Sequence, residues 1–242
     1  MRPLCVHLAA SRTRWSAFGA QTAIFPNYLG PKKPLDNNKT TGHITCMPRP
    51  ANPNTRSKLL EKGGDLLSRI GFNATGVQEI TAAAGVPKGS FYNYFESKEA
   101  FAVEVLGEYW GSVEEVYGPL LRDKDTSPIH RISNYFRGLA EFHKRNRYAS
   151  GCLIGNMALE VTPSSADVRA KLVAVYREWA EELADCLREA QAHKELSSGK
   201  DTKQLAVALI DTFEGTVMRA KVERSGKPFE SFERYVLPCL LA

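Results

Sequence analysis

The sequence predicts an all-α protein: a small N-terminal three-helix unit followed by a larger helical one. Three observations carry this. From Thr55 to the C-terminus apolar residues recur at helical intervals, and no stretch sustains the alternation of a strand. Helix stops and starts (Gly71, Gly85-Val86-Pro87, Ser97, Pro128, Pro163, Pro228) fall between those stripes. The composition, 43% hydrophobic and 24% charged over 242 residues, is that of an ordinary globular chain able to bury a core in one or two domains. No run approaches the roughly 18 apolar residues of a membrane span. The five cysteines (Cys5, Cys46, Cys152, Cys186, Cys239) show no paired spacing, which excludes a disulfide framework or structural zinc site and points to a reducing cytoplasm.

Segment 1–54 lacks periodicity, carries seven prolines and reads as a disordered tail. Residues 1–46 hold six Lys or Arg and one acid, Asp36, so they account for the whole net charge of +5 and leave 47–242 neutral. Any case for nucleic acid must therefore come from local residues. Three readings of the tail compete: a targeting presequence, a basic arm on DNA phosphates, or an upstream extension with Met47 as the true start. The third is preferred.

The first helix is marked by Leu59, Leu60, Leu66, Leu67 and Ile70, with Gly71 as its stop. Thr75 then stands as N-cap of a short helix, Val77–Ala84, with Gln78 in the capping-box position and Ile80 and Ala83 or Ala84 facing inward. Gly85-Val86-Pro87 makes a tight turn in which Gly85 takes the left-handed conformation and Val86 plugs inward. In the next helix, from Lys88 to Phe95, Phe91 and Phe95 are four apart and point to the core. Lys88, Ser90, Tyr92, Asn93 and Tyr94 are left on or near the exposed side. Hydroxyls, an amide and an ammonium beside small Gly89 suit a helix lying in a DNA major groove, bonding phosphates and base edges. Lys88 at a helix start opposes the helix dipole, which favours a functional reading. Ser97 caps the following helix, whose N-terminus with Lys98 suits a phosphate. Tyr94 is alternatively half-buried against the first helix.

The gapless run Gly71–Lys98, with its Gly-Val-x-x-Gly-x-x-Tyr-x-Tyr-Phe-x-x-Lys pattern, resembles the DNA-binding domain of tetracycline-repressor-like (TetR) regulators. The resemblance implies an all-helical homodimer: a helix-turn-helix DNA-binding domain at 55–100 and a C-terminal ligand-binding and dimerisation domain at 101–242. It further implies that Thr75, Lys88, Gly89, Ser90, Tyr92, Asn93 and Lys98 contact DNA, the tyrosines, Tyr94 included, and Lys98 mostly through phosphate. A symmetric dimer places its two reading heads about one DNA turn, roughly 34–36 Å, apart on a near-palindromic double-stranded operator.

Beyond Lys98 the pattern stays helical. Phe101, Val105, Tyr109, Val113, Val116 and Leu120 form a long stripe that Gly118-Pro119 kinks or ends. Asp123–Ser127 is a loop, and Pro128 opens a helix with Ile132, Phe136, Leu139 and Phe142. A short helix covers Gly151 to Glu160, and Val168, Leu172, Val175, Trp179, Leu183 and Leu187 continue to His193. Two helices close the chain, one with Leu205, Leu209, Phe213 and Val217, the other starting at Pro228 with Phe229, Phe232, Val236 and Leu240. The family implies that the last two pair with their copies in a four-helix interface.

The motif Gly151-Cys152-Leu153-Ile154-Gly155-Asn156 resembles one branch of these regulators, some members of which sense electrophiles or small unsaturated acids. In the first turn of a helix Cys152 faces free amide groups that favour its thiolate, and His143, Lys144, Arg145 and Arg147 add positive potential. A reactive thiol switch and a packed apolar cysteine both remain open. Candidate ligand or sensor residues are Trp110, His143, Tyr148, Cys152, Asn156, Tyr176 and Trp179, which combine aromatic surface with polar handles.

No catalytic residue, cofactor or metal site is expected: the chain lacks a Gly-x-Ser-x-Gly elbow, a phosphate-cradling loop, His-Glu-x-x-His and Cys-x-x-Cys. The resulting expectation is a cytoplasmic, dimeric, ligand- or electrophile-responsive repressor released from its operator by a small-molecule effector. A constitutive architectural DNA-binding protein and a helical cysteine enzyme are the alternatives.

Overall fold

The computed structural model describes residues 53–242; the tail, its basic arm and Met47 lie outside the described residues. Those described form helices and connecting turns, with no strand among them. The order is α1 (Pro53–Ile70), α2 (Val77–Ala84), a 3₁₀ segment (Lys88–Asn93), α3 (Lys98–Arg122), α4 (Pro128–Arg145), α5 (Leu153–Glu160), α6 (Ala166–Ala192), α7 (Thr202–Glu223), α8 (Lys227–Ser231), a π turn (Phe232–Val236) and α9 (Leu237–Leu241).

In α1 the buried residues are Leu59, Leu60 and Leu67; Leu66 is half-buried and Ile70 is 52% exposed, a departure from the expected stripe at the helix end. Gly63 completes the inward face, because it lets α1 approach Phe101 and Ile80. Gly71 (φ +89°) reverses the chain out of α1. Gly85 (φ +67°) ends α2 in the left-handed conformation, and Val86 N–H closes back onto Thr81 O at 3.0 Å. Of the two alanines offered for the inner face of α2, Ala84 is buried and Ala83 is exposed.

The six residues after Pro87 wind as a 3₁₀ helix rather than an α-helix. Phe91 is fully buried and meets Phe95 and Phe101 at ring distances of 5.2 and 5.4 Å, so one aromatic cluster bolts this turn to α3. Ser97 caps α3, accepting from Ala100 N–H at 2.9 Å. α3 runs uninterrupted through Pro119 to Arg122, so Gly118-Pro119 does not end it. Its inner face ends on Tyr117 and Leu121, while Val116 is exposed and Leu120 half-buried, because the helical period drifts off the expected residues.

α3, α4, α6 and α7 make the larger bundle. Arg131 is buried at the start of α4, donating to Leu121 O at 2.9 Å and to the Glu189 carboxylate at 2.6 Å. The buried charge is thus paired, and one otherwise unbonded carbonyl at the end of α3 is satisfied. All six apolar residues of the α6 stripe and all four of α7 are buried as expected. At the C-terminus Phe229 and Phe232 are buried, but beyond them Leu237 and Leu241 face inward in place of Val236 and Leu240. The π turn between them holds an extra residue and shifts the face by one position. No helix among the described residues is long and apolar enough to cross a membrane.

Candidate nucleic-acid interface and interior cavity

The turn from Lys88 to Asn93 has two opposite faces. Phe91 anchors it from below, while Lys88, Gly89, Tyr92 and Asn93 are exposed and Ser90 is half-exposed. Tyr92 stands 60% exposed, and a Cβ added at Gly89 would meet no atom within 4 Å. Five neighbouring residues therefore present an ammonium, two hydroxyls, an amide and bare backbone on a rigid apolar base. Such a surface bonds phosphate and base edges without folding cost at the moment of binding. Tyr94 is half-buried and packs against the core, beside Phe95 at a ring distance of 6.4 Å.

Two residues expected at this surface are turned inward. Thr75 is fully buried, and its hydroxyl donates to Gly71 O at 2.6 Å. It does not cap α2: Gly76 is the N-cap residue, with no side-chain cap bond, so the capping box with Gln78 is absent. The reversal at Gly71 leaves a carbonyl facing Thr75, and a buried hydroxyl takes the nearest acceptor. Lys98 reaches back across the head. Its Nζ donates to Phe72 O at 2.8 Å and Thr75 O at 2.9 Å, and lies 3.9 Å from the centre of the Phe72 ring. Its ammonium clamps the α1–α2 turn onto α3 and lends that corner a positive charge.

α5 joins this head to the bundle. Asn156 Nδ2 donates to Ser68 O in α1 at 3.2 Å, and Glu160 Oε2 accepts from Asn73 N–H at 2.8 Å. The glutamate folds over Gly71, where any Cβ would collide with it. Asn156, expected in a ligand pocket, is thus a strut between the two parts.

The opposite end of α5 closes an interior cavity. A small cavity of about 30 Å³, room for a water-sized group, lies between α3, α4, α5, α6 and α7. Its lining includes Trp110, His143, Cys152 and Trp179, four of the seven residues expected there. Tyr148 and Tyr176 line separate surface grooves, the first beside Phe229 and the second beside Lys203 and Val207. Tyr148 is carried away by a turn in which it and Arg147 both have positive φ (55° and 52°).

Cys152 is the N-cap residue of α5 and is 8% exposed. The lowered thiol pKa expected for it is not found. Burial pushes the thiol well above its ordinary value, and the Glu214 carboxylate beside it pushes further in the same direction. The upstream basic residues do not offset this: Lys144 pairs with Glu141 at 3.0 Å, and His143 is neutral, its pKa lowered by burial to about 4. Tyr109 OH donates to Cys152 Sγ at 3.7 Å. Glu214, from α7, has a carboxyl raised by burial to about 7, and its Oε1 is buried without a hydrogen-bond partner. Sequence reasoning does not find Tyr109 or Glu214 as site residues. Tyr109 reads as core, and nothing in the pattern of α7 marks Glu214 as inward-facing, although Gly155 is a trace of it: a Cβ there would strike the Glu214 carboxylate.

Residues 59–105 match the family described as bacterial regulatory proteins, tetR family, and residues 128–236 match a tetracyclin repressor-like C-terminal domain. The HTH-type transcriptional repressor DhaR of Mycobacterium sp. (strain GP1) is 37% identical over 186 residues, covering 77% of this chain and 92% of that protein. The HTH-type transcriptional repressor NemR of Escherichia coli K12 is 31% identical over 73% of this chain and 89% of its own length. Among solved structures, a regulatory protein TetR from Rhodobacter sphaeroides superposes with a TM-score of 0.74 at 34% identity, covering 78% of this chain and 99% of that one. The reduced form of E. coli NemR does so with a TM-score of 0.67 at 30% identity over 78% and 98%.

Proposed function

This chain belongs to the TetR family of bacterial regulatory proteins, and from that premise we propose how its own residues divide the work of a ligand-responsive transcriptional repressor. Residues 55–100 bind operator DNA, and 101–242 hold the effector and pair two copies. The chain acts in the cytoplasm by binding, without catalysis. Lys88, Gly89, Ser90, Tyr92 and Asn93 make the direct contacts. Thr75 and Lys98 serve the interface from behind, by fixing the turn that presents it and by adding charge to its edge.

The observation that carries this reading is the two-faced turn at Lys88–Asn93: polar and open outside, bolted inside by Phe91 to Phe95 and Phe101. The effector signal starts at the cavity between α3 and α7 and reaches the head by two routes. One is α3 itself, through Lys98. The other is α5, whose N-terminus walls the cavity and whose Asn156 and Glu160 hold α1 and the following turn. A shift of either changes the separation of the two heads in the dimer, and with it the fit to an operator of fixed spacing.

The test is titration of the gene's own upstream DNA at several salt concentrations. Lys88→Ala is expected to weaken binding and to lower the salt slope by about 0.9 for each phosphate no longer neutralised, and Tyr92→Phe to weaken binding with the fold intact. Unchanged affinity and slope in both variants would remove this turn from the interface.

A further inference from the structure

Two carboxyls face one another between α3 and α6. Glu114 and Glu182 are both half-buried, and their outer oxygens share one guanidinium: Arg122 Nη1 lies 3.4 Å from Glu114 Oε2 and 3.7 Å from Glu182 Oε1. Gly118 gives that guanidinium its place, because a Cβ there would run into Arg122 Nη2. The inner oxygens, Glu114 Oε1 and Glu182 Oε2, are buried, and no N–H or hydroxyl group is bonded to them. From α4, Tyr135 is fully buried with its OH unbonded; burial first, and then the two carboxyls, hold the phenol in its neutral form. Asp185, further along α6, adds negative potential, so Arg122 is the positive group that acts on Glu182.

Two carboxylates and one arginine leave an uncompensated negative charge in a space half closed to water. Such a charge is costly, and two carboxylates sharing one site do not both ionise freely. One proton held between the inner oxygens closes the balance: it neutralises the cluster and supplies the donor that both oxygens lack. Burial and the hydrogen bond with Glu114 accordingly raise the Glu182 carboxyl to about 8. The pair sits at a mechanical crossing. α3 begins at Lys98, in the DNA-binding head, and α6 carries Trp179, a wall of the interior cavity, one turn before Glu182.

We propose that Glu114 and Glu182 form a proton-operated latch between α3 and α6, and that operator affinity falls when the pair loses its shared proton in mildly alkaline solution. This rests on the reading of α3 as an arm that positions the DNA-binding head. When the proton passes to solvent, two carboxylates face one another and Arg122 answers the charge of only one. They repel, α3 and α6 part, and the two heads of the dimer sample a wider range of separations. Only the fraction with the spacing of the operator binds, so the apparent affinity drops with that fraction. The Lys88–Asn93 face itself holds no carboxylate and no histidine.

Fluorescence anisotropy on the gene's own upstream DNA, at constant ionic strength and at about pH 6.5 and 8.5, tests the latch. The full chain is expected to bind about fourfold more weakly at the higher pH if one pair titrating near 8 responds, and more if both copies do. Glu114→Gln and Glu182→Gln each replace the shared proton by an amide hydrogen. Both are expected to keep the low-pH affinity at either pH, with the unfolding midpoint at pH 6.5 preserved. Glu214→Gln, which alters the other buried carboxyl raised into this range, is expected to keep the full drop. A drop that survives in both latch variants, vanishes in Glu214→Gln, or is absent from the full chain overturns the proposal. Binding that is tight and equal at the two pH values sinks the latch and leaves the repressor standing; no binding at either pH removes the DNA-binding reading, and the latch with it.

Discussion

Replacing Gly89 by alanine separates the demands of the fold from those of DNA. In the free protein an added Cβ meets nothing within 4 Å, and Gly89 is not among the positive-φ glycines, Gly71 and Gly85. The substitution therefore introduces no clash, and the narrower unfolded ensemble stabilises the protein by about 0.4–1 kcal/mol. For a chain of this size that raises the unfolding midpoint by roughly 1–4 °C. On the operator the same methyl stands where bare backbone would approach phosphate and sugar. Overpacking a close approach costs about 1–3 kcal/mol. A symmetric dimer meets that cost twice, so affinity falls roughly 30-fold or more. Fluorescence anisotropy on the upstream DNA and a thermal melt read the two effects independently. Affinity within about threefold of wild type would show that the Gly89 backbone does not face DNA. A midpoint lowered by several degrees would show that the space above it is not open.

Gly63→Ala tests the opposite case: its Cβ would run into Phe101 Cζ, with Phe101 Cε1 at 3.0 Å and Ile80 Cγ2 at 3.1 Å. Phe101 is held between Phe91 and Phe95, so overpacking of about 1–3 kcal/mol exceeds the roughly 1 kcal/mol gained in helix propensity, and the midpoint should fall. Asn156→Ala removes the strut to Ser68 O; operator affinity should hold within about threefold while the effector concentration needed for release rises, by about 2- to 30-fold if the coupling is of ordinary size. In Glu182, burial and the neighbouring Glu114 raise the carboxyl from 4.5 to about 8. The folded chain therefore holds a proton that the unfolded chain has lost. The contribution is intact below pH 4.5 and disappears as pH rises through about 8, so Glu182→Gln should raise the unfolding midpoint more at pH 8.5 than at pH 5.5. An equal shift at both pH values would refute the assignment.

Much of this molecule is legible along the chain. The α6 and α7 stripes, the left-handed Gly85 and the Pro128 helix start are local matters of period, chirality and missing N–H groups, which neighbouring residues decide among themselves. So is the contrast between Phe91 and its polar neighbours, and with it the candidate DNA face. Departures come where a choice depends on distant residues. Thr75 has two acceptable partners, and the Gly71 reversal offers the nearer one. Lys98 in isolation suits a phosphate, but the fold brings the carbonyls of Phe72 and Thr75 within its reach. The C-terminal face slips by one residue at a π turn, which no hydrophobic pattern marks.

The cavity divides most sharply. By itself the sequence determined that aromatic residues and Cys152 would stand near one another, because helical spacing places each on an inward face. Only the tertiary structure decided the chemistry of that space. Helix packing brought Glu214 of α7 against the N-terminus of α5, buried the Cys152 thiol and much of the Glu214 carboxyl, and left no Lys or Arg lining the space. A pKa depends on charges and solvent in three dimensions, and residues 152 and 214 meet only once the bundle closes.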